Sequence, residues 1–493
     1  MRRGSVLSLL GAVGLSAGCT LQPAYQRPAM PVPEGYPTGP AFAEPAAAAS
    51  GAPPAADVGW RDFLADPRLQ RLVEIAVANN RDLRVAALTV AQFQAQYRIQ
   101  RSAIFPQVSA TASETATRAP LGGVGRNYTT HEYFVGGSAS WELDLFGRLR
   151  SLNEQALQQY FATAQARKAA QISLVAAVAD QYLAILADDS LLAVTERTLQ
   201  TAQASYELTL VQFQAGTGNE LSVRQAQTVV EQAKANYAAQ VRIRAQDENE
   251  LVLLLGQPPP PDLPTPAPLD SQGILTDIPA GLPSELLARR PDIMEAEDNL
   301  RAANANIGAA RAAFYPTITL TGTLGTQSLA LSALFGPGSL AWSFVPTITL
   351  PIFQGGRLRA SLDAATIGKE IEIAQYEKTI QTAFREVSDG LAARGTYGEE
   401  VAALERLADA YQIYLDLAQL RFRAGIDSYL NVLTAQTNLY TAQQSLVQAR
   451  LARLTNLVDL YRALGGGWIE RTGDTPASPE DVSAIAAPKA SSR

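Results

Sequence analysis

The sequence predicts a mainly α-helical chain with membrane β-strands, built as two copies of one design in which long coiled-coil helices flank a pair of strands. Three observations carry this expectation. Landmarks of the first half return in the second at one register. Proline is absent between Pro120 and Pro258 and between Pro351 and Pro476. Four stretches alternate apolar with polar residues.

The repeat is the strongest of the three. Arg101-Ser-Ala-Ile-Phe-Pro106 returns as Arg311-Ala-Ala-Phe-Tyr-Pro316, Gly147-Arg-Leu-Arg150 as Gly356-Arg-Leu-Arg359, Phe213-Gln-Ala-Gly216 as Phe422-Arg-Ala-Gly425, and Leu255-Gly256 as Leu464-Gly465, each shifted by 209 or 210 positions. Ordered landmarks at one shift mean a duplicated unit, and so long a period excludes a solenoid of short repeats.

Composition removes most chemistry. One Cys and one His among 493 residues build no structural zinc site, iron-sulfur cluster or disulfide framework. The chain contains neither a G-x-x-x-x-G-K-[ST] phosphate loop nor a G-x-S-x-G nucleophile motif, so neither a cofactor nor an enzymatic activity is expected. The 40 basic and 47 acidic residues, net charge -7, are interspersed and leave no basic face for nucleic acid. No uninterrupted apolar run approaches the ~20 residues of a spanning helix, which excludes a helical transporter.

Residues 1–18 read as an export signal, with Arg2 and Arg3 ahead of an apolar stretch from Val6 to Leu15 that is too short to span a bilayer. Leu15-Ser-Ala-Gly-Cys19 resembles the lipobox of bacterial lipoproteins, which implies acylation of Cys19, although Ser16 stands where Leu is commonest. Thr20 rather than Asp follows, so the resemblance implies the outer membrane. Ordinary signal cleavage with Cys19 as a bystander is the alternative. Residues 19–59, Pro/Ala-rich between Pro28 and Pro54, form an extended lipid-anchored segment, and Asp66-Pro67 marks a helix start, an N-cap followed by Pro. The first repeat covers residues 60–256, a Pro-rich linker 257–283, the second repeat 284–467, and a polar tail with little order 468–493.

The proline-free spans let helices run on without the ~3 kcal/mol cost of an interior proline. Tyr182, Leu186, Leu192, Thr195, Leu199 and Ala202 form one narrow apolar seam, and Leu404, Leu407, Tyr411, Tyr414, Leu417 and Leu420 a second; such seams suit closely packed coiled coils. An unbroken helix between Gly147 and Gly216 would be on the order of 100 Å long. Gly390, Gly395 and Gly398 are expected to interrupt its counterpart and mark a side domain.

The strands alternate with period two. Ile318, Leu320, Gly322 and Leu324 oppose Thr317, Thr319, Thr321 and Thr323; Trp342, Phe344, Pro346 and Ile348 oppose Ser343, Thr347 and Thr349. In the first half Tyr133, Val135, Ala139, Trp141 and Leu143 oppose Glu132, Ser138, Ser140 and Glu142, and Val108, Ala110 and Ala112 oppose Ser109, Thr111 and Ser113. A half-buried soluble sheet gives the same period; the export signal and lipid anchor favour membrane strands with interfacial Trp141 and Trp342. Four strands do not close a barrel, and open edges are not tolerated in lipid. Three chains would supply twelve strands. Glu142 and Asp144 are expected to face a water-filled lumen, and His131 to sit in a surface loop.

Taken in order, Cys19-Thr-Leu-Gln-Pro-Ala-Tyr-Gln-Arg-Pro28, the duplicated elements, Arg423-Ala-Gly-Ile-Asp-Ser-Tyr-Leu430 and Leu464-Gly-Gly-Gly-Trp468 resemble the outer-membrane factor family, the lipoprotein outer-membrane channels of tripartite efflux pumps. The resemblance runs from Cys19 to Trp468. It implies a homotrimer in which long helices form a periplasmic α-barrel joined to a 12-stranded outer-membrane β-barrel, four strands per chain. It also implies a passive exit channel for drugs or other small molecules, supplied by a periplasmic adaptor and an inner-membrane pump.

The hairpin turns are Ala215-Gly-Thr-Gly-Asn219 and Ala424-Gly-Ile-Asp427, where glycine permits the left-handed conformation that ends a helix. By resemblance Gly216, Thr217, Gly218, Gly425 and Ile426 meet the adaptor. Leu430 forms an apolar ring and Asp427 an acidic ring at the closed end of the pore, with Arg421 and Arg423 available for pairing between helices. The family often carries an aspartate where this chain has Thr434, and an acidic residue where it has Ser222, which puts a second carboxylate ring in doubt. Asp427 also suits a turn residue capping the next helix. Three alternatives remain: the exit duct of a type I secretion or metal-efflux system, a non-pore periplasmic coiled-coil lipoprotein, and an exported hydrolase.

Overall fold

The computed structural model describes residues 20–42, 53–121, 126–276 and 279–474; the export signal, Cys19 and the end of the tail lie outside these residues. Among the described residues the elements run α1 (Trp60–Phe63), α2 (Pro67–Asn79), α3 (Arg81–Ser102), β1 (Gln107–Leu121), β2 (Arg126–Leu143), α4 (Arg148–Gln214) and α5 (Glu220–Leu255) in the first half. The second half runs α6 (Pro283–Arg289), α7 (Pro291–Ala312), β3 (Thr317–Ser328), β4 (Leu340–Thr349), α8 (Arg357–Arg423) and α9 (Tyr429–Ala463). The duplication is exact where it matters: α3 and α7 each have 22 residues, and α4 and α8 each have 67.

The repeated glycines explain themselves. Gly256 and Gly465 end α5 and α9 with φ of +70° and +85°, a conformation that costs other residues ~1–2 kcal/mol. A Cβ on Gly256 would lie 2.5 Å from the Asn79 carbonyl oxygen, and one on Gly465 would lie 2.7 Å from that of Arg289. Each Leu-Gly landmark thus marks the same close approach of a helix end to the start of its own repeat. Asn80 Nδ2 donates to the Leu254 carbonyl at 2.9 Å, and Arg290 Nη1 to that of Ala463 at 2.8 Å. These orphan helix-end carbonyls are satisfied twice by the same device.

One compact unit gathers Thr89–Thr163 and Glu295–Glu377 with the described N-terminal residues up to Ala29. It holds an antiparallel sheet in the order β1-β2-β3-β4. The register puts Ala110, Gly137, Leu324 and Trp342 in one row across the sheet, with Val108, Ala139, Gly322 and Phe344 in the next. Side chains alternate between faces, so these rows make an apolar band on one face across all four strands. It is also uncovered: Leu324, Trp342, Phe344 and Ile348 are all more than half exposed. Hydroxyls pair on the other face, Ser109 with Ser138 at 2.8 Å and Thr323 with Ser343 at 2.7 Å.

The second unit gathers Met30–Leu88, Ala164–Met294 and the residues from Lys378 onward. Asp66 caps α2, accepting from Arg68 N at 2.8 Å with Pro67 at the first helical position, as the sequence indicates. Phe63 stacks on Tyr461 with centroids 4.0 Å apart, and Tyr182 donates to Asp66 Oδ2 at 2.6 Å. α4 contains an 18-residue window of mean hydropathy 1.5, apolar enough to cross a membrane, of which 56% is buried inside the fold.

Several expectations are corrected. Gly390, Gly395 and Gly398 do not interrupt α8, which is helical from Arg357 to Arg423; a Cβ on Gly390 would press on Leu460 of α9 at 3.1 Å, so this glycine admits a neighbouring helix. The second seam is shifted: Val401, Ala408, Leu415 and Ala418 are buried, while Leu407, Tyr414, Leu417 and Leu420 are exposed. His131 lies within β2 rather than in a loop, its Nδ1 2.8 Å from Glu114 Oε1 of β1. Glu142 takes a bidentate pair from Arg148. Asp144 accepts from the backbone N–H of Leu149 and Arg150, so both carboxylates secure the entry to α4, a task that the sequence did not indicate. The start of the tail is fastened, since the backbone N–H groups of Trp60 and Arg61 donate to the carbonyls of Ile469 and Glu470 at 2.9 and 3.1 Å.

Candidate functional site

The two helical hairpins α4–α5 and α8–α9 end in tips of equal length. α4 stops where Gly216 takes φ of +74° and α8 where Gly425 takes +73°. Both closures follow the Schellman pattern of a left-handed residue with two returning N–H groups. Gly216 N donates to the Phe213 carbonyl at 3.0 Å and Thr217 N to that of Gln212 at 2.9 Å. Gly425 N donates to the Phe422 carbonyl at 3.0 Å and Ile426 N to that of Arg421 at 2.9 Å. Gly216, Thr217, Gly218, Gly425 and Ile426 are all exposed, so the backbone of both tips faces outward.

The side chains differ. At the second tip Arg421 grips Asp427 with two bonds, Nε to Oδ2 at 2.6 Å and Nη2 to Oδ1 at 3.2 Å. This guanidinium, with help from Asn431, holds the Asp427 carboxyl below its usual range, and the carboxylate in turn raises Arg421. Arg421 is therefore engaged across its own turn, with Asp427 as its partner. Asp427 does not cap α9, because Ser428 occupies the N-cap position and makes no side-chain cap bond. The 209-residue shift puts Gln212 and Gly218 at the matching places of the first tip, where the cap is Asn219, accepting from Ser222 N at 2.9 Å.

Leu430 is half exposed on the first turn of α9. Arg423 is exposed and lines a cavity of about 310 Å³ with Gln200, Ser205, Gln419, Phe422 and Tyr429. Sequence reasoning missed what anchors this tip. Tyr429 is 2% exposed, packs edge-on against Phe422 with centroids 5.4 Å apart, and belongs to a cluster with Ala226, Leu415, Ala418, Val432, Ala435 and Leu439. Part of the signal was present: Tyr429, Val432 and Leu439 follow one another along α9 at spacings of three and seven, whereas Phe422 joins them from α8 across the turn. At the first tip the residue matching Tyr429 is Glu220, exposed and paired with Arg224 at 3.2 Å.

Among the described residues no group of His, Cys, Asp or Glu is arranged to hold a metal.

The family model of the outer membrane efflux protein matches the chain twice, over residues 72–257 and 282–466. The toluene efflux pump outer membrane protein TtgC and the antibiotic efflux pump outer membrane protein ArpC, both of Pseudomonas putida, are each 51% identical to this chain over 95% of its length and 97% of theirs. The open state of the Neisseria gonorrhoeae MtrE outer membrane channel superposes with a TM-score of 0.82 at 39% identity, covering 92% of this chain and 100% of that one. The two matches of the family model fall on the two repeats of helices and strands, and the chain belongs to the outer membrane efflux protein family.

Proposed function

We propose that three copies of this chain form the outer-membrane exit duct of a tripartite efflux system, a passive conduit for antibiotics or small apolar molecules received from an inner-membrane pump through a periplasmic adaptor. The observation that carries this reading is the open four-stranded sheet with an apolar band running across all four strands. In lipid the free edges of β1 and β4 must find partners, and three sheets supply an even twelve strands, within the usual barrel range. Twelve long helices, four from each chain, continue the wall. The substrate class is inferred from relatives whose names specify antibiotics and toluene.

In this reading acyl chains on Cys19 tether the chain. Gly216, Thr217, Gly218, Gly425 and Ile426 contact the adaptor, and Leu430, Asp427, Arg421 and Arg423 form the closed constriction. A ring of Asp427–Arg421 pairs is nearly neutral overall, so closure there relies on Leu430 and on the pairs holding the tip in shape.

Planar-bilayer recording tests it. Wild type is expected to show small stepwise conductance that rises in the Asp427→Ser, Leu430→Ser double variant, and Cys19→Ser protein is expected still to enter outer membrane through its strands. An acyl-free protein that stays soluble and makes no steps would leave the non-pore lipoprotein as the answer. Unchanged conductance in the double variant would remove the gate from these residues while sparing the channel.

A further inference from the structure

α4 carries a buried carboxyl that the duct's function does not use. Asp188 is 6% exposed. Its Oδ1 accepts from Gln240 Nε2 of α5 at 2.8 Å, whereas its Oδ2 is sealed from solvent and receives no donor as a carboxylate. Asp247, two turns beyond Gln240 on α5, presents its carboxyl to Asp188 within hydrogen-bonding reach. Two carboxylates only accept, so a contact between them becomes a hydrogen bond when one carries a proton. The pairing is held in register from outside: Gln181 Nε2 of α4 donates to the Asp247 backbone carbonyl at 3.0 Å.

The nearby charges do not relieve the pair. Asp189, the next residue on α4, adds a further negative charge, and it is bound by Arg244 of α5. Arg244 also reaches Glu248 at 2.8 Å, so this guanidinium serves two other carboxylates. Gln240 offers a neutral donor only.

We propose that Asp188 keeps a proton and donates it to the Asp247 carboxylate, and that this bond fastens α4 to α5, so that the first hairpin loosens when the proton is lost. Burial first, and the facing Asp247 second, push Asp188 up to about 7. An aspartate in the unfolded chain titrates near ~3.9. The folded value lies above the unfolded one, so the fastening is complete in acid and is lost as the pH rises through about 7. Asp180 of α4 is a second carboxyl, partly buried with its Oδ1 sealed from solvent, also pushed up to about 7, by burial and by Asp459 of α9 against the opposing Arg462. It has to be separated from Asp188 in any measurement.

Infrared difference spectra of the full-length protein in detergent, wild type against Asp188→Asn, make that separation, because Asp180 cancels. The expected result is a protonated-carboxyl band in wild type that disappears as the pH passes about 7 and is absent from Asp188→Asn. Hydrogen exchange of the α5 amides between residues 240 and 250, corrected for the chemical rate, reads the fastening. In wild type it accelerates by up to about tenfold per pH unit above the transition. Asp188→Asn keeps a permanent donor and should exchange slowly at every pH. A missing band, or a wild-type exchange profile that Asp188→Asn leaves unchanged, overturns the proposal. If Asp188→Asn does not fold, Asp247→Asn serves, with the band abolished or shifted as the supporting result and an unmoved band as the opposing one. Neither readout depends on the protein being a channel.

Discussion

The two hairpin tips share a backbone and almost nothing else. Gly216 and Gly425 turn at φ of +74° and +73°, and both tips return their N–H groups to matching carbonyls. One then exposes Glu220 with Arg224, while the other buries Tyr429 in an aromatic and aliphatic cluster and closes its turn with Arg421 and Asp427. Duplication preserved the geometry that ends a helix, because few residues satisfy it. It left the side chains free to differ, and the second tip alone has this packing and this charge pair. A tip held by a core and a clamp moves as a body, whereas a solvated tip frays on its own. If one hairpin bears the gate and the other yields, the second is built for the former task.

The largest expected difference between the tips comes from truncating their matching residues. Tyr429→Ala removes a side chain that is 2% exposed, and losses of this kind cost ~3–5 kcal/mol. The same change at Glu220 removes a solvent-exposed partner in an i,i+4 pair worth ~0.3–0.5 kcal/mol. Limited proteolysis at the two turns, compared between the variants, checks this: Tyr429→Ala should open the second turn to cleavage, and Glu220→Ala should leave the first as it was. Equal sensitivity would mean that the trimer, not the cluster, holds the tips.

Much of this molecule was legible in its sequence, and the limits have physical causes. The offset landmarks give both halves because glycine at a helix end is irreplaceable where φ is positive and a carbonyl oxygen lies 2.5 Å from the missing Cβ, as at Gly256. Alternation located all four strands, since an apolar band runs across one face of the sheet. Gly390 was misread because a helical glycine that lets Leu460 approach looks, in sequence, the same as one that breaks a helix. The seam in α8 was misplaced for a related reason. Two apolar rows run along that helix, and sequence does not say which is buried within one chain; the row at Leu407, Tyr414, Leu417 and Leu420 remains exposed. At the tip, Asp427 was identifiable as a charge beside a turn, but its partner Arg421 lies six residues back, a spacing that only the reversed chain direction brings together.

A middle-sized effect asks whether the shared backbone is shared in energy. Alanine at Gly216 or Gly425 meets open space, so the penalty is conformational alone, ~1–2 kcal/mol. It should be the same at both tips. Thermal unfolding of the two single variants tests this, and equal shifts are expected. A larger loss at Gly425 would show that the Tyr429 cluster transmits strain that the solvated tip absorbs.

The smallest effect separates the clamp from the cluster. Asp427 is held below its ordinary carboxylate range by Arg421, so the contribution of the pair is present at neutral pH. It disappears as the pH falls through the depressed value, below the ~3.9 of an unperturbed aspartate. The first tip has Gln212 and Gly218 at these places and has no such term. Cleavage at the second turn, measured with an acid-active protease, should therefore rise at the acid end in wild type, while cleavage at the first turn stays flat. Asp427→Asn should already show the raised level at neutral pH and lose the dependence. The change will be small, because Arg421 is exposed, Asp427 is partly so, and water screens the pair. If Asp427→Asn behaves as wild type throughout, the buried aromatic holds the second tip without help, and the ion pair is left to shape the charge of the opening it surrounds.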